Sequence, residues 1–155
     1  LLTKKDILQN AIDFAHALDI EQPKVAILAA VEEVKPQMQS TIDAAALCKM
    51  ADRGQITGAL LDGPLAFDNA ISQQSADIKH IHSPVTGDVD ILLVPDLEAG
   101  NMLGKQLIYL GEAKAAGIVM GSKVPIVLTS RSDDELDRLY SIALGAYVAQ
   151  KRKQA

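Results

Sequence analysis

The segment 129–135, with the sequence TSRSDDE, contains side chains suited to binding an anion. Ser130 and Arg131 follow an apolar run predicted to be a strand and precede a run predicted to be a helix. A hydroxyl group and a guanidinium at such a junction can hold an oxyanion or a phosphate. The neighbouring acids oppose anion binding through the helix dipole alone, so Arg131 must supply the positive charge. Asp137, which lies further along the same predicted helix, is a candidate general base.

The same segment also has a purely structural interpretation. Ser132 and Glu135 have the spacing of a capping box, in which the two side chains satisfy backbone N–H groups at the start of a helix. Acids in the first turn also complement the helix dipole. This interpretation explains the residues from Ser132 onward but not Ser130 and Arg131. The residues alone leave both interpretations open.

A second polar segment, 95–105, follows another apolar run and has the sequence PDLEAGNMLGK. Asp96 there is either a helix cap or part of a site. The run 100–105 is one residue shorter than the phosphate-loop pattern, and Gln106 stands where Ser or Thr is required. A nucleoside-triphosphate site is therefore not predicted. Lys105 is a candidate anion contact, although most helical lysines face solvent.

The composition restricts the possible functions. The chain has 155 residues, of which 48% are hydrophobic and 23% charged, and its net charge is −5. These values predict a globular domain and disfavour a nucleic-acid or membrane-surface partner. A single cysteine, Cys48, excludes an internal disulfide and suits a reducing, cytoplasmic location, where we expect it to be inert packing. His80 and His82 lack a third ligand in the sequence, so no metal site is predicted.

The start of the chain predicts that it is a piece of a longer protein, because the initiator Met is missing. The first residues do not have the pattern of a signal peptide. No run approaches the ~20 apolar residues needed to cross a bilayer.

Apolar runs alternate with amphipathic runs along most of the chain, which predicts an α/β fold with a mostly parallel sheet between helices. The short runs on either side of Gly121 predict one antiparallel hairpin, so the sheet is expected to be mixed. Ligands of such sheets bind beyond the carboxyl ends of the strands. The predicted strands are 24–31, 58–62, 90–94, 117–120 and 124–128, and the predicted helices begin near Thr3, Ser40, Phe67, Gly100 and Asp133. The second helix is predicted to stop at Gly54. The last helix is predicted to have one apolar face, formed by Leu136, Leu139, Ile142, Ala143 and Ala146.

Three motifs in this order and spacing resemble the phosphate acetyl/butyryltransferase family, and the resemblance covers nearly the whole chain. They are DGPLAFDNAI at 62–71, DILLVPDLEAGNMLGK at 90–105 and PIVLTSRSDDELDRLYSIAL at 125–144. The PIVLTSR form and the AAVEEV stretch resemble the phosphate butyryltransferase branch more closely. In the acetyl branch a Gly usually stands where this chain has Ser132, and the family usually has an aromatic residue at Gly104.

The resemblance implies a reaction, acyl-CoA + phosphate ⇌ acyl phosphate + CoA, without a metal or cofactor, with coenzyme A as a substrate. Ser130 would stabilise the tetrahedral oxyanion, Arg131 would hold phosphate, and Asp137 would accept the thiol proton. Asp96, Asn101 and Lys105 are further candidate contacts to phosphate or coenzyme A.

The resemblance also implies an isocitrate-dehydrogenase-like, two-domain, dimeric acyltransferase of which this chain is the carboxy-terminal half. Residues 1–128 would form the second α/β domain. Residues 129–155 would form the site loop and a final helix that returns to the first domain, which the fragment lacks. That first half supplies further arginines in the family, so the isolated fragment is expected to have little or no activity.

Two alternatives remain open at this point. The chain could be a non-catalytic dimerisation or scaffold fragment, as its Ala-rich helix faces and low aromatic content (3%) allow. It could also have a related fold that acts on another phosphorylated substrate. The metal-dependent dehydrogenases of that kind need several metal-binding aspartates, which cannot be assembled here.

Overall fold

The computed structural model describes residues 1–154, with the side chains of residues 1–153. The chain forms two compact units, Leu1–Ala99 (the first unit) and Gly100–Ala155 (the second unit), and each is described by itself. The helices are α1 Leu2–Ala17, α2 Gln39–Asp52, α3 Phe67–Ile71, α4 Gln73–Ile78, α5 Leu97–Tyr109 and α6 Glu135–Gln154. The strands are β1 Lys24–Leu28, β2 Leu60–Leu65, β3 Ile91–Leu93, β4 Ile118–Val119 and β5 Ile126–Val127. None of these helices is long and apolar enough to span a membrane.

The first unit is built on a three-stranded parallel sheet with the order β2-β1-β3. The central strand β1 is buried at its last four residues, as expected for a strand with neighbours on both sides and helices over its faces. Helix α1 contributes Leu8 and Ile12, one turn apart on its inner face, and α2 contributes Ala44 and Leu47. The predicted parallel α/β arrangement is confirmed in this unit.

Close backbone packing shapes the end of β2. The Gly63–Pro64 peptide bond is cis, and a Cβ atom on Gly63 would lie 2.7 Å from the carbonyl oxygen of Ile27 in β1. Cys48 Sγ lies 3.6 Å from the Gly63 carbonyl oxygen. Burial raises the pKa of the Cys48 thiol to about 12, which agrees with the predicted role in packing.

The second unit consists of most of α5, the hairpin β4–β5 and α6. The hairpin is antiparallel, with Ile118 opposite Val127 and Val119 opposite Ile126. Helix α6 packs on it through Ser141, Gly145 and Val148, which recur at helical spacing and are buried. A Cβ atom on Gly145 would lie 2.7 Å from Val127 Cγ2, so the glycine allows this close approach.

The predicted hairpin is confirmed, but it is hydrogen-bonded separately from the parallel sheet among the described residues. The single mixed sheet that the sequence predicted is therefore two sheets. The apolar face predicted for α6 also differs from the packed one, because Leu136, Leu139 and Ile142 are exposed. The predicted boundary between residues 128 and 129 concerns a longer protein and stays a prediction.

Helix starts were the least accurate part of the sequence analysis. Thr3 and Ser40 lie inside α1 and α2, and the N-caps are Leu1 and Met38, neither of which makes a side-chain capping hydrogen bond. The predicted stop of the second helix at Gly54 is confirmed, because the helix ends at Asp52 and Gly54 has a φ of 69°.

Candidate active site

The loop between β5 and α6 contains Ser130, Arg131 and Ser132. Helix α6 begins at Glu135 because Asp134 caps it, with Oδ1 of Asp134 accepting the backbone N–H of Asp137 at 2.8 Å. The capping box predicted for Ser132 is therefore wrong. Its hydroxyl group does not cap the helix and is available for other contacts.

A turn at residues 130–133 brings two hydroxyl groups together. The Ser130 N–H donates to the Asp133 carboxylate, and the Asp133 N–H donates to the Ser130 carbonyl oxygen at 3.2 Å. As a result, the Oγ atoms of Ser130 and Ser132 lie 3.0 Å apart. Ser130 is half-buried and Ser132 is exposed.

Lys105 reaches both hydroxyl groups from α5. Its Nζ atom donates to Ser130 Oγ at 3.3 Å and to Ser132 Oγ at 3.2 Å. The same ammonium lies 5.6 Å from the ring centroid of Tyr109, one helical turn along α5. A lysine that sequence alone could not distinguish from a solvent-facing one is thus part of a polar cluster.

Asp96 and Asn101 also lie on or beside α5. Asp96 is the N-cap of this helix, since its Oδ1 accepts the Ala99 N–H at 2.8 Å. Asn101 is exposed and stands one turn before Lys105. The structural interpretation of Asp96 is confirmed, and the candidate substrate contacts of Asp96 and Asn101 stay predictions.

A cleft of about 460 Å³ lies beside this cluster, within the second unit. Lys105, Ser132 and Asp137 line it together, so the candidate base and the candidate anion contact share one space. Two lysines and four acids are among its lining residues, which are Lys105, Ile108, Tyr109, Glu112, Ala113, Lys114, Ser132, Asp133, Asp134 and Asp137. The cleft by itself is therefore net negative, and binding an anion there requires further positive charge.

Arg131 and Ser130 are not among the lining residues of the cleft. The guanidinium of Arg131 is exposed, next to the cluster in sequence. It lies between Ser130 and Ser132 in sequence and is a candidate for the extra positive charge, as is exposed Arg138 next to Asp137. Its proposed contact with phosphate stays a prediction.

Asp137 is held at the start of α6 by contacts to the segment that precedes β4. Its Oδ1 lies 3.5 Å from the Ala115 N–H, a weak contact. One turn later Ser141, which is 1% exposed, donates to the Asp137 carbonyl oxygen at 2.8 Å and accepts the Gly117 N–H at 3.0 Å. The backbone around the carboxylate is therefore well anchored while the carboxylate itself faces the cleft.

The first unit contains a different polar cluster, in which the charges are paired. Lys79 Nζ lies 2.9 Å from Glu32 Oε1 and 2.8 Å from Asp68 Oδ2. The hydrogen bond from Lys79 holds the pKa of Asp68 at about 2 and lowers that of Glu32. Buried Asn69 donates to Glu32, and the Asn69 Oδ1 atom has no hydrogen-bond partner among the described residues.

The structure thus brings Lys105 into contact with Ser130 and into one cleft with Asp137. The sequence analysis missed Ser132 and Tyr109 as members of this arrangement. The available signals were the Ser-x-Ser spacing of 130–132 and the four-residue spacing from Lys105 to Tyr109. Both spacings are common in protein sequences, and only the fold shows that these residues lie in one cluster.

Comparison with known proteins extends these observations. Residues 2–146 match the family described as "Phosphate acetyl/butaryl transferase". The chain is 60% identical over its whole length to a phosphate acetyltransferase from Rhizobium meliloti and covers 49% of that protein. It is 49% identical over 149 residues to a phosphate butyryltransferase from Clostridium acetobutylicum, which amounts to 96% of this chain and 50% of that protein.

A solved structure shows the same fold. A branched-chain phosphotransacylase from Enterococcus faecalis V583 superposes with a TM-score of 0.87 at 36% identity, over 96% of this chain and 53% of that one. The chain spans about half the length of the curated relatives it matches. Relatives of both acyl names occur, and the phosphate acetyltransferase from Rhizobium meliloti shares more identity with this chain than the phosphate butyryltransferase from Clostridium acetobutylicum does, so the predicted closer likeness to the butyryl branch is not supported. The extent of the match establishes that this chain belongs to the phosphate acetyl/butyryltransferase family.

Proposed function

We propose that the protein containing this chain transfers a short-chain acyl group between coenzyme A and inorganic phosphate. The observation that carries the proposal is the shared cleft of the second unit, where Lys105 and Ser132 adjoin the carboxylate of Asp137. A cation with hydroxyl groups suits a phosphate or an oxyanion, and a carboxylate nearby suits the removal of a thiol proton.

The chemistry in the direction of acyl-CoA synthesis requires a thiolate. The thiol of coenzyme A, with an ordinary thiol pKa of about 8.5, is largely protonated at neutral pH, so a base must accept its proton. Asp137 accepts that proton as the sulfur attacks the acyl carbon of acyl phosphate. The bond from carbon to sulfur forms, and the carbonyl oxygen becomes an oxyanion.

Collapse of the tetrahedral intermediate breaks the bond between carbon and the phosphate oxygen and releases phosphate. Ser130 contributes to stabilising the oxyanion, and Arg131 holds the phosphoryl group in place. Positive charge and hydrogen-bond donors held ready for the developing negative charge lower the barrier. Attack is direct between two bound substrates, so no covalent enzyme intermediate is needed.

Three broader properties belong to the same proposal. The reaction takes place in the full-length protein, because relatives are about twice as long and the cleft described here is net negative. The remaining half of such a protein would supply further cationic groups. The protein would act as a homodimer in the cytoplasm.

A second candidate is a non-catalytic dimerisation or scaffold role for this piece. The observation that favours it is the exposed apolar face of α6, formed by Leu136, Leu139 and Ile142. Sedimentation of the isolated chain as a dimer without affinity for coenzyme A would support this role. A chain that binds coenzyme A would count against it.

The test is phosphate- or arsenate-dependent release of coenzyme A from acetyl-CoA and butyryl-CoA. It uses the full-length protein, the isolated chain, and full-length Ser130→Ala, Arg131→Ala and Asp137→Asn variants. Each substitution is expected to lower kcat/KM by about 10²- to 10³-fold, as loss of an acid–base group or an oxyanion donor does. The ratio of the rates with the two acyl substrates measures which acyl group the protein prefers.

Arg53→Ala is the matched control for Arg131→Ala, because Arg53 is exposed at the end of α2 in the first unit. It should leave the rate unchanged. If the full-length protein releases no coenzyme A with either acyl substrate, the proposed reaction is wrong. If it is active and the isolated chain is not, the rest of the site lies in the other half.

A further inference from the structure

The hydroxyl groups of Ser130 and Ser132 and the ammonium of Lys105 form a triangle, the hydroxyl–ammonium cluster. Its sides are 3.3 Å, 3.2 Å and 3.0 Å, all within hydrogen-bonding range. The two serines are not equivalent, because Ser132 lines the cleft and Ser130 does not. The cluster therefore has an inner hydroxyl group and an outer one.

The direction of each hydrogen bond follows from counting donors and acceptors. An ammonium only donates, so both hydroxyl oxygens accept from Lys105. Ser130 Oγ also accepts the Ser132 backbone N–H at 3.4 Å, which occupies its second lone pair. Because this N–H already points at Ser130 Oγ, we assign the contact between the two hydroxyl groups to the proton of Ser130, which donates to Ser132 Oγ.

Ser132 Oγ in turn accepts from Lys105 and from Ser130, which fills both of its lone pairs. Its own proton therefore has no acceptor within the cluster, and Ser132 itself lines the cleft. Hydrogen bonds aligned in one direction polarise one another, so this terminal proton is a stronger donor than that of an isolated serine.

We propose that Ser132 is a further substrate-contacting residue, whose hydroxyl group donates to the phosphoryl or carbonyl oxygen of the acyl phosphate. Ser130 then contributes to stabilising the oxyanion through Ser132, which it orients, because its own proton is used in the hydrogen bond to Ser132 Oγ. This inference rests on the proposed acyl transfer and names a residue of that same site. It also assigns a function to a hydroxyl group that does not cap α6.

The test is steady-state kinetics of the full-length protein with Ser132→Ala, Ser132→Thr, Ser130→Ala and the double variant Ser130→Ala/Ser132→Ala. Ser132→Ala is expected to lower kcat/KM for acyl phosphate about 10²- to 10³-fold, at least as much as Ser130→Ala, as loss of an oxyanion donor does, with the KM for coenzyme A unchanged. Ser132→Thr keeps the hydroxyl group and should recover most of the rate.

The double variant distinguishes a relay from two independent contacts. If Ser130 acts through Ser132, the double variant should be no slower than the slower single variant. The control is Ser122→Ala, which removes a half-buried hydroxyl group between the hairpin strands and should have no effect on the rate. Unfolding curves of all variants should coincide with that of the wild type.

Two results would overturn the inference while leaving the proposed function intact. One is an active wild type with a Ser132→Ala variant that keeps more than half of its kcat/KM. The other is a double variant whose loss equals the product of the two single losses. An inactive wild type would instead contradict the proposed function itself.

Discussion

The two units of this chain differ in how far their apolar side chains are buried and in how their charged side chains are paired. In the first unit, Leu8, Ile12 and Leu47 are fully buried against the parallel sheet. In the second unit, both residues of β5 and the outer face of α6 are exposed. The first unit therefore has the core of an independent domain, and the second has apolar surface that nothing among the described residues covers.

The charged groups show the same contrast. Lys79 in the first unit is neutralised by Glu32 and Asp68. Within the described residues, Lys105 in the second unit forms no ion pair and contacts only the neutral hydroxyl groups and ring described above. Paired charges stabilise a structure, whereas a cation held by neutral acceptors keeps its charge available for a ligand. The comparison teaches that the way a lysine is partnered is more informative than its exposure.

The largest expected effect comes from removing apolar side chains in the two units. Leu47→Ala should lower the free energy of unfolding of this chain by about 2–5 kcal/mol, because it leaves a cavity in the core. Leu139→Ala should change it by no more than about 0.5 kcal/mol, because this side chain is 57% exposed. Urea unfolding followed by circular dichroism measures both.

The same pair sharpens the comparison when it is repeated in a full-length protein. If α6 returns to the other half, as predicted for residues 129–155, Leu139→Ala should cost clearly more there than in the isolated chain. If Leu139→Ala lowered the free energy of unfolding by the same small amount in the isolated chain and in the full-length protein, that prediction would be contradicted. Equal costs for Leu47 and Leu139 in the isolated chain would contradict the contrast between the units.

The next effect concerns two glycines of the second unit. A Cβ atom on Gly117 would lie 2.0 Å from the Leu128 carbonyl oxygen, so Gly117→Ala should destabilise by about 1–3 kcal/mol. A Cβ atom on Gly104 meets nothing within 4 Å on α5, so Gly104→Ala should stabilise by up to about 1 kcal/mol. Thermal unfolding of the two variants should therefore shift in opposite directions. A shift in the same direction would show that the hairpin is not packed as described.

The smallest effect is the pH dependence of the Lys79 cluster. The pKa of Asp68 is lowered to about 2 and that of Glu32 is also lowered, so both carboxylates bind fewer protons in the folded state than in the unfolded state. Their stabilisation is complete above the ordinary carboxyl pKa near 4 and is lost as the pH falls toward 2. In the Lys79→Gln variant, the free energy of unfolding should therefore depend less steeply on pH between pH 4 and pH 2.

Lys49→Gln is the matched control, because Lys49 pairs with Asp52 on an exposed helix surface. Urea midpoints at several acidic pH values compare the two variants. If Lys79→Gln left the pH dependence of the urea midpoint unchanged, the cluster would not hold these carboxylates in their charged form.

Much of the secondary structure could be predicted from local patterns, whereas the helix starts predicted at Ser40 and Ser132 were wrong. The strands and most helices are present where apolar runs and helical spacing indicated them. The two predicted starts failed for different reasons. Helix α2 begins at Gln39 after Met38, which makes no side-chain capping hydrogen bond, so the hydroxyl group of Ser40 was not needed as a cap. At α6 several polar residues stand near the start, and local patterns do not identify which of them caps the helix. Asp134 rather than Ser132 caps α6, and this choice releases a hydroxyl group that a capping box would have used.

The candidate site was predictable in its residue types but not in its connections. Ser130, Arg131 and Asp137 lie within one segment of sequence, so motif and resemblance identified them together. Lys105 lies 25 residues before Ser130, and no local pattern states that the two meet. The sequence also did not predict which face of α6 packs on the hairpin, because the helix has small residues on one side and leucines on another.

The sequence by itself determined the α/β pattern, the three family motifs and the residue types available for anion binding and proton transfer. These features depend on local spacing and on side-chain chemistry, which are independent of the rest of the chain. Only the tertiary structure decided the strand order β2-β1-β3, the separate hairpin, and the meeting of Lys105 with Ser130 and Ser132. The reason is that a periodic pattern identifies which face of an element is buried but not which neighbour buries it.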